Sequence, residues 1–403
     1  EQMNTGYFEK LIQKYLLDNT HGAVVTVVPK KGLNKVREDA LAEKLAAYKA
    51  TLSPDEIKKL VEQTHHLHQY QEEPSADEDL RKIPMLGRKD MRKEAMLFHN
   101  EEMKAGNIPV VMHEIATNGI DYMTLMFECG DIPQEDIPYL GLLKSVLGYV
   151  NTSNYEYADL ANAINIYTGG ISSGISVYPD LQKTGSVCVK YEVRIKVLEN
   201  NLKDAMALVE EILTTSDLED TKRLGEIIAQ VKSRLQVNLS SSGNVVAAMR
   251  ALSYQSRYAF YQDATLGIAY YQLIQKLDEQ MKTDPKQVVD KMKTLVAKVF
   301  VQNRLLVSFT GTKAAYKKAQ PLFVQYFERL PEGTKAGDMA VIELSKKNEG
   351  FMDASQIQYV ARGGNFKNHG YTYSGTLKIL KMILSYEYLW INIRVKGGAY
   401  GCM

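Results

Sequence analysis

Apolar and polar residues alternate with two different periods along this chain, and the switches between them mark its elements. The cleanest period of two covers residues 187–197, where Val187, Val189, Tyr191, Val193, Ile195 and Val197 alternate with Cys188, Lys190, Glu192, Arg194 and Lys196. Successive strand side chains point to opposite faces, so this run predicts a strand with one buried and one wet face. Shorter β-branched runs predict strands at 23–28, closed by Pro29, and at 304–310. A spacing of three to four predicts helices at 136–149, 155–167, 200–214, 219–240, 245–261, 264–282, 286–300 and 313–329.

Before these lies a helical hairpin. Leu33, Val36, Leu41, Leu45 and Tyr48 form the stripe of its first helix, and Ser53-Pro54-Asp55-Glu56 starts the second. Ser53 is placed to cap, Pro54 suits the first helical position, and Glu56 is positioned to reach back. Pro74 ends the hairpin, and Pro84 and Pro109 punctuate the extended segment after it.

Alternating strands, rather than continuous apolar ones, select a mixed or antiparallel sheet covered by helices on one face, an α+β arrangement. Three segments follow: residues 1–105 as a strand plus helical hairpin linker, 106–330 as a complete α/β sandwich domain, and 331–403 as the first part of a second copy. In the last segment, strands are expected at 341–344 and 356–361. Leu377, Leu380, Leu384, Tyr388 and Ile391 mark an amphipathic helix that Gly397-Gly398 breaks. A domain of roughly 200 residues would need far more chain, so this copy is expected to be truncated.

Charge narrows the possible partners. Among 403 residues, 49 Lys and Arg face 48 Asp and Glu, which leaves no basic excess for displacing counterions from nucleic-acid phosphates. Hydrophobic residues at 45% and charged residues at 24% fit an ordinary globular chain. No apolar run approaches the ~20 residues of a membrane helix, and no secretory signal stands at the N-terminus. Cys129, Cys188 and Cys402 are far apart and read as reduced thiols.

Spacing alone completes no active site. His113-Glu114 begins like a zinc-protease helix, but position 117 is Thr, and H-x-x-E-H is absent. His65, His66 and His68 lack the pair four apart that would put two imidazoles on one helical face, so they read as a polar surface. No phosphate-cradling glycine loop or nucleophile elbow occurs, and no Ser or Cys has a motif pairing it with a base.

The closing Arg394-Val395-Lys396-Gly397-Gly398-Ala399-Tyr400-Gly401 is similar to the R-V-x-G-G-A-Y-G signature of the presequence protease subfamily, within the pitrilysin/insulinase superfamily of inverted-motif zinc metallopeptidases. The opening stretch resembles the linker domain of that subfamily: Leu17, Asn19, His21, Val24 and Val27 before Pro29, then Leu52-Ser53, Gln71-Glu72, and Leu80 with Ile83-Pro84 and Leu86. The likeness runs the whole length and is to the C-terminal half of such a protease.

The resemblance implies a zinc metalloendopeptidase of four related α+β domains, closing as two halves around a chamber that admits unstructured peptides. Zinc would be bound by the N-terminal half, the partner of this chain, and this chain alone would bind no metal and cleave nothing. Leu140, Leu143 and Lys144 would stand roughly where the His, Glu and His of the metal motif belong. Arg394 and Tyr400 would contact the substrate carbonyl and the transition state. The plain alternative is a helix-end cation and a core aromatic.

Lys190, Arg194 and Lys196 would face the chamber. Ser242-Gly243-Asn244 departs from the usual Ser-Gly-His, which puts any role of that His in doubt. The location implied is cytoplasmic for a bacterial protein and an organelle lumen for a eukaryotic one. The competing function is a catalytically inactive peptide-binding or scaffold subunit of a heteromeric peptidase, against which the hairpin linker speaks.

Overall fold

The computed structural model describes residues 2–402 except 181, 184 and 354–356. Contacts divide the chain into two compact units, Glu1–Ala95 and Met96–Met403.

In the first unit, helix α1 (Tyr7–Ile12) continues as a wider turn through Leu17, and the two expected helices follow as α2 (Leu33–Thr51) and α3 (Pro54–Glu72), joined at Leu52-Ser53 and with no buried residue on either. The start of α3 is built as the sequence predicts. Ser53 Oγ accepts from Glu56 N at 3.3 Å, and Glu56 accepts from Ser53 N at 2.8 Å, so two end donors are satisfied reciprocally. A short α4 (Asp77–Leu80) follows. The strand expected at 23–28 does not form. Val24 is 96% exposed, and no described residue pairs with this run. β-branched residues favour strands by packing on a neighbour, and without one the preference has nothing to act on.

The second unit is built on six strands: β1 (Asn100–Ala105), β2 (Ile108–Glu114), β3 (Ile120–Glu128), β4 (Ile171–Pro179), β5 (Val187–Leu198) and β6 (Leu305–Gly311). Their order is β1-β2-β6-β3-β5-β4, with β2 and β6 parallel and all other neighbours antiparallel. Residues 100–105, read from the sequence as part of the linker, are thus an edge strand of this sheet.

The helices are α5 (Ile137–Val146), α6 (Tyr157–Tyr167), α7 (Leu202–Thr215), α8 (Thr221–Ser241), α9 (Gly243–Ser253), α10 (Arg257–Leu266), α11 (Ile268–Thr283), α12 (Pro285–Val299) and α13 (Lys313–Phe327). The single helix expected over 245–261 is two, because Ser256 caps a fresh start by accepting from Ala259 N at 3.4 Å.

Along β3, β5 and β6 every second residue is buried, including Val189, Tyr191, Val193, Ile195 and Val197 on β5, Leu125 and Phe127 on β3, and Val307 and Phe309 on β6. Each such side chain contributes ~1.5–3 kcal/mol by leaving water. The mixed sheet with helices on one face is therefore the α+β arrangement that the alternation predicts.

After α13 the chain runs extended as a strap. Arg304, 4% exposed, donates to both oxygens of Asp131 at 2.6 and 2.7 Å and to Thr334 O at 3.2 Å. Farther on, Glu343 N donates to Gln134 Oε1 at 2.8 Å, and Glu349 accepts from Arg250 Nε at 2.7 Å. Arg250 also donates to the buried Asp263 at 2.6 Å. The strands expected at 341–344 and 356–361 do not form among the described residues, and Gln356 lies outside them. Side-chain anchors and single backbone hydrogen bonds, such as Ala340 N to Gly130 O at 2.8 Å, hold this segment in place of a strand ladder. Helix α14 (Thr376–Ile383) then continues as a wide i→i+5 turn run, Leu384–Lys396, with its apolar residues exposed.

Candidate functional site

The C-terminal motif folds into a tight loop whose glycines have separate duties. Gly398 sits in the left-handed region at φ +71°, which lets its N–H donate to Arg394 O at 3.0 Å and the Ala399 N–H to Ile393 O at 3.1 Å. A Cβ on Gly397 would come within 2.6 Å of Ile393 O, so only glycine fits that close approach. The turn carries the chain back along the helix. Arg394, in the last helical turn, places its guanidinium 4.7 Å from the Trp390 ring centroid and 5.7 Å from that of Tyr400. Tyr400 is 90% exposed, and among the described residues its hydroxyl has no hydrogen-bond partner. The two residues singled out by the motif therefore lie side by side, and an exposed cation–π contact is worth ~0.5–1 kcal/mol. Both present donors to solvent.

The α5 positions are unlike a metal centre. Leu140 and Leu143 are 0% exposed in the core. Lys144 lies 5.9 Å from the Tyr270 ring centroid and donates to Thr265 O at 3.5 Å. Burial holds its pKa below the usual lysine range. Two alkyl groups and an ammonium offer no lone pair to zinc, so these residues do not fit the metal that the family implies. Among the described residues no three His, Cys, Asp or Glu side chains cluster as a metal set. At the departure from the Ser-Gly-His pattern, a Cβ on Gly243 would meet the Tyr359 ring at 2.3 Å, so this glycine seats the strap.

The uncovered face of the sheet carries the charged residues of β5, and they are more tightly engaged than a wet face requires. Lys190 pairs with Glu128. Glu192, 2% exposed, accepts from Arg194 Nε at 2.9 Å and from the Tyr178 hydroxyl. On the same face, His113 has Nδ1 2.7 Å from Asn100 Oδ1 and Nε2 3.0 Å from Ser308 Oγ. Sequence spacing passed over this group, because it joins residues up to 195 apart through the β2–β6 pairing. The available signal was that His113 and Ser308 each occupy a polar position of a period-two run.

Comparison with known proteins agrees with the motif. The family described as associated with subfamily C of the M16 peptidases matches residues 27–277, and the PreP C-terminal domain matches residues 348–403. Protein HypA of Clostridium perfringens is 35% identical over 99% of this chain and 41% of that protein. Presequence protease 1, chloroplastic/mitochondrial, of Arabidopsis thaliana is 26% identical over 100% of this chain and 37% of that protein. The mitochondrial presequence protease of Drosophila melanogaster is 24% identical over 99% and 38%. The chain thus spans about two fifths of the length of these relatives. With a family match over most of its length and a second over its closing motif, this chain belongs to the family associated with subfamily C of the M16 peptidases and corresponds to the C-terminal half of a presequence-protease-like M16 peptidase.

Proposed function

We propose that this chain is the non-metal-binding half of a zinc metalloendopeptidase that degrades unstructured peptides inside a closed chamber. Its partner is the N-terminal half of the same protein, which supplies the zinc. The placement of Arg394 beside Tyr400, within the match to the PreP C-terminal domain, carries this reading. As a peptide carbonyl is attacked, negative charge grows on its oxygen, and a guanidinium and a phenol held together are donors suited to that charge. The uncovered sheet face, with Lys190, Arg194 and Lys196, would form chamber wall, and residues 331–403 would belong to a further domain. The chain alone would cleave no peptide, since Leu140, Leu143 and Lys144 supply no metal ligand. Among the described residues no helix is long and apolar enough to cross a membrane. The relatives named for mitochondria and chloroplasts support an organelle lumen for a eukaryotic protein.

The experiment is reconstitution with the N-terminal half, followed by peptide turnover. Tyr400→Phe and Arg394→Ala should each lower kcat by about 100- to 1,000-fold, the cost of removing one oxyanion donor. Parent-level turnover in both variants would remove these residues from the catalytic list. Peptidolysis by the chain alone would overturn the division of labour.

A further inference from the structure

The geometry points to a second reactive centre on the uncovered face of the sheet, a serine acyl-transfer site formed by Ser308, His113 and Asn100. Three strands hold it. Asn100 on β1 and His113 on β2 are direct antiparallel partners, and His113 stands opposite Thr310 on the parallel β6, two residues beyond Ser308 on the same face. The Asn100 carbonyl oxygen only accepts, so the 2.7 Å contact places the imidazole proton on Nδ1. Nε2 is left as an acceptor 3.0 Å from Ser308 Oγ. A nucleophile bound to a base, and a base oriented by a third group, is the arrangement that activates a hydroxyl.

Hydroxyls occupy neighbouring positions. Thr124 on β3 pairs directly with Ser308, and Thr310 pairs with both His113 and Tyr122. These side chains share the open face with Ser308. Ser308 and His113 are half-buried and Asn100 is exposed, so a small acyl ester has access without an enclosing pocket. The titratable groups facing the imidazole are Glu102 from β1 and Tyr122 from β3, and β6 contributes none.

In the reaction, Ser308 Oγ bonds to the ester carbonyl carbon while His113 Nε2 takes its proton. The ester C–O bond breaks, and that proton passes to the departing alcohol. Water then attacks the acyl-serine, His113 takes its proton and returns it to Ser308, and a carboxylic acid leaves. No metal or other co-reactant is needed.

A purely structural network would leave Ser308 inert. The test treats the full-length protein with a fluorophosphonate in the presence of a zinc chelator, so that the metallopeptidase makes no contribution, and locates the adduct by mass spectrometry. Ser308 should carry the label. Ser308→Ala should abolish it, and His113→Gln, which retains hydrogen bonding but no base, should slow it about 100-fold or more. Asn100 is a positioning residue. Asn100→Asp should retain labelling and move the inflection of its pH profile upward, because a carboxylate favours the imidazolium. An unlabelled Ser308 in protein with parent-like folding would overturn the proposal. So would equal labelling rates in the parent and His113→Gln. Failure here leaves the peptidase reading untouched, because that reading is tested by metal-dependent turnover.

Discussion

Asp121 shows how one side chain sets a pH dependence that its neighbours in sequence do not announce. It lies on the buried face of β3, 0% exposed, and neither carboxylate oxygen has a partner among the described residues. Burial pushes its pKa up to about 6, the charge of Glu199 adds to this, and Lys318 opposes it. The folded state thus favours the protonated form. The penalty for ionising is absent below the unfolded pKa of 3.8 and grows until the pH passes about 6. A rise of that size corresponds to ~2–3 kcal/mol. Asp121→Asn should therefore raise stability to denaturant at pH 8 by an amount in that range and change little at pH 4. Equal gains at both pH values would show that ionisation is not the cause. No strand was read from the sequence at this position, and the assembled sheet, where Asp121 stands opposite Val197 on β5, removes its water.

At the scale of elements, local chemistry and long-range anchoring make different predictions. The capping box of α3 was legible residue by residue, because its partners lie three apart. Ser53→Ala should cost ~1 kcal/mol of local helix stability, read as faster amide exchange in the first turn of α3. The strap was not legible. Strands were expected in it at 341–344 and 356–361, and its course is decided by Arg250, whose side chain is only 12% exposed, between Asp263 and Glu349. The hydrogen bond from Arg250 holds the Glu349 carboxyl down to about 2, with Tyr254 adding to it. A depressed carboxyl stabilises above its unfolded value of 4.5 and loses that contribution as pH falls toward 2. Exchange around residues 345–351 should rise over that acid window, and Glu349→Gln should show the raised rate already at pH 7. Arg250→Ala should be far costlier, ~3–5 kcal/mol in global unfolding, because it strands Asp263 buried without its cation.

The whole molecule combines a sheet covered by helices with a helix, α5, that has no metal ligand. α5 occupies the core through Leu140 and Leu143, so its stability comes from burial and not from coordination. Treating the isolated chain with a strong zinc chelator should leave its thermal midpoint unchanged, and elemental analysis should find no stoichiometric zinc. A drop in the midpoint would reveal ligands elsewhere. The same treatment of the full-length protein should abolish peptide turnover if the N-terminal half supplies the metal.

What the chain determined by itself is whatever rests on near neighbours: the periods of β5 and the helices, the cap at Ser53, and the glycine pair that turns the chain back at Arg394. A side chain's face and a backbone's φ depend on positions a few residues apart, so they can be read along a line. The tertiary structure decided which runs acquire a partner. It left 23–28 and 341–344 without a strand and drew residues 100–105 into the sheet. It also buried Glu192 and Asp121 and set His113 between Asn100 and Ser308. Those outcomes depend on groups far apart in the chain excluding water together, and no periodicity encodes that.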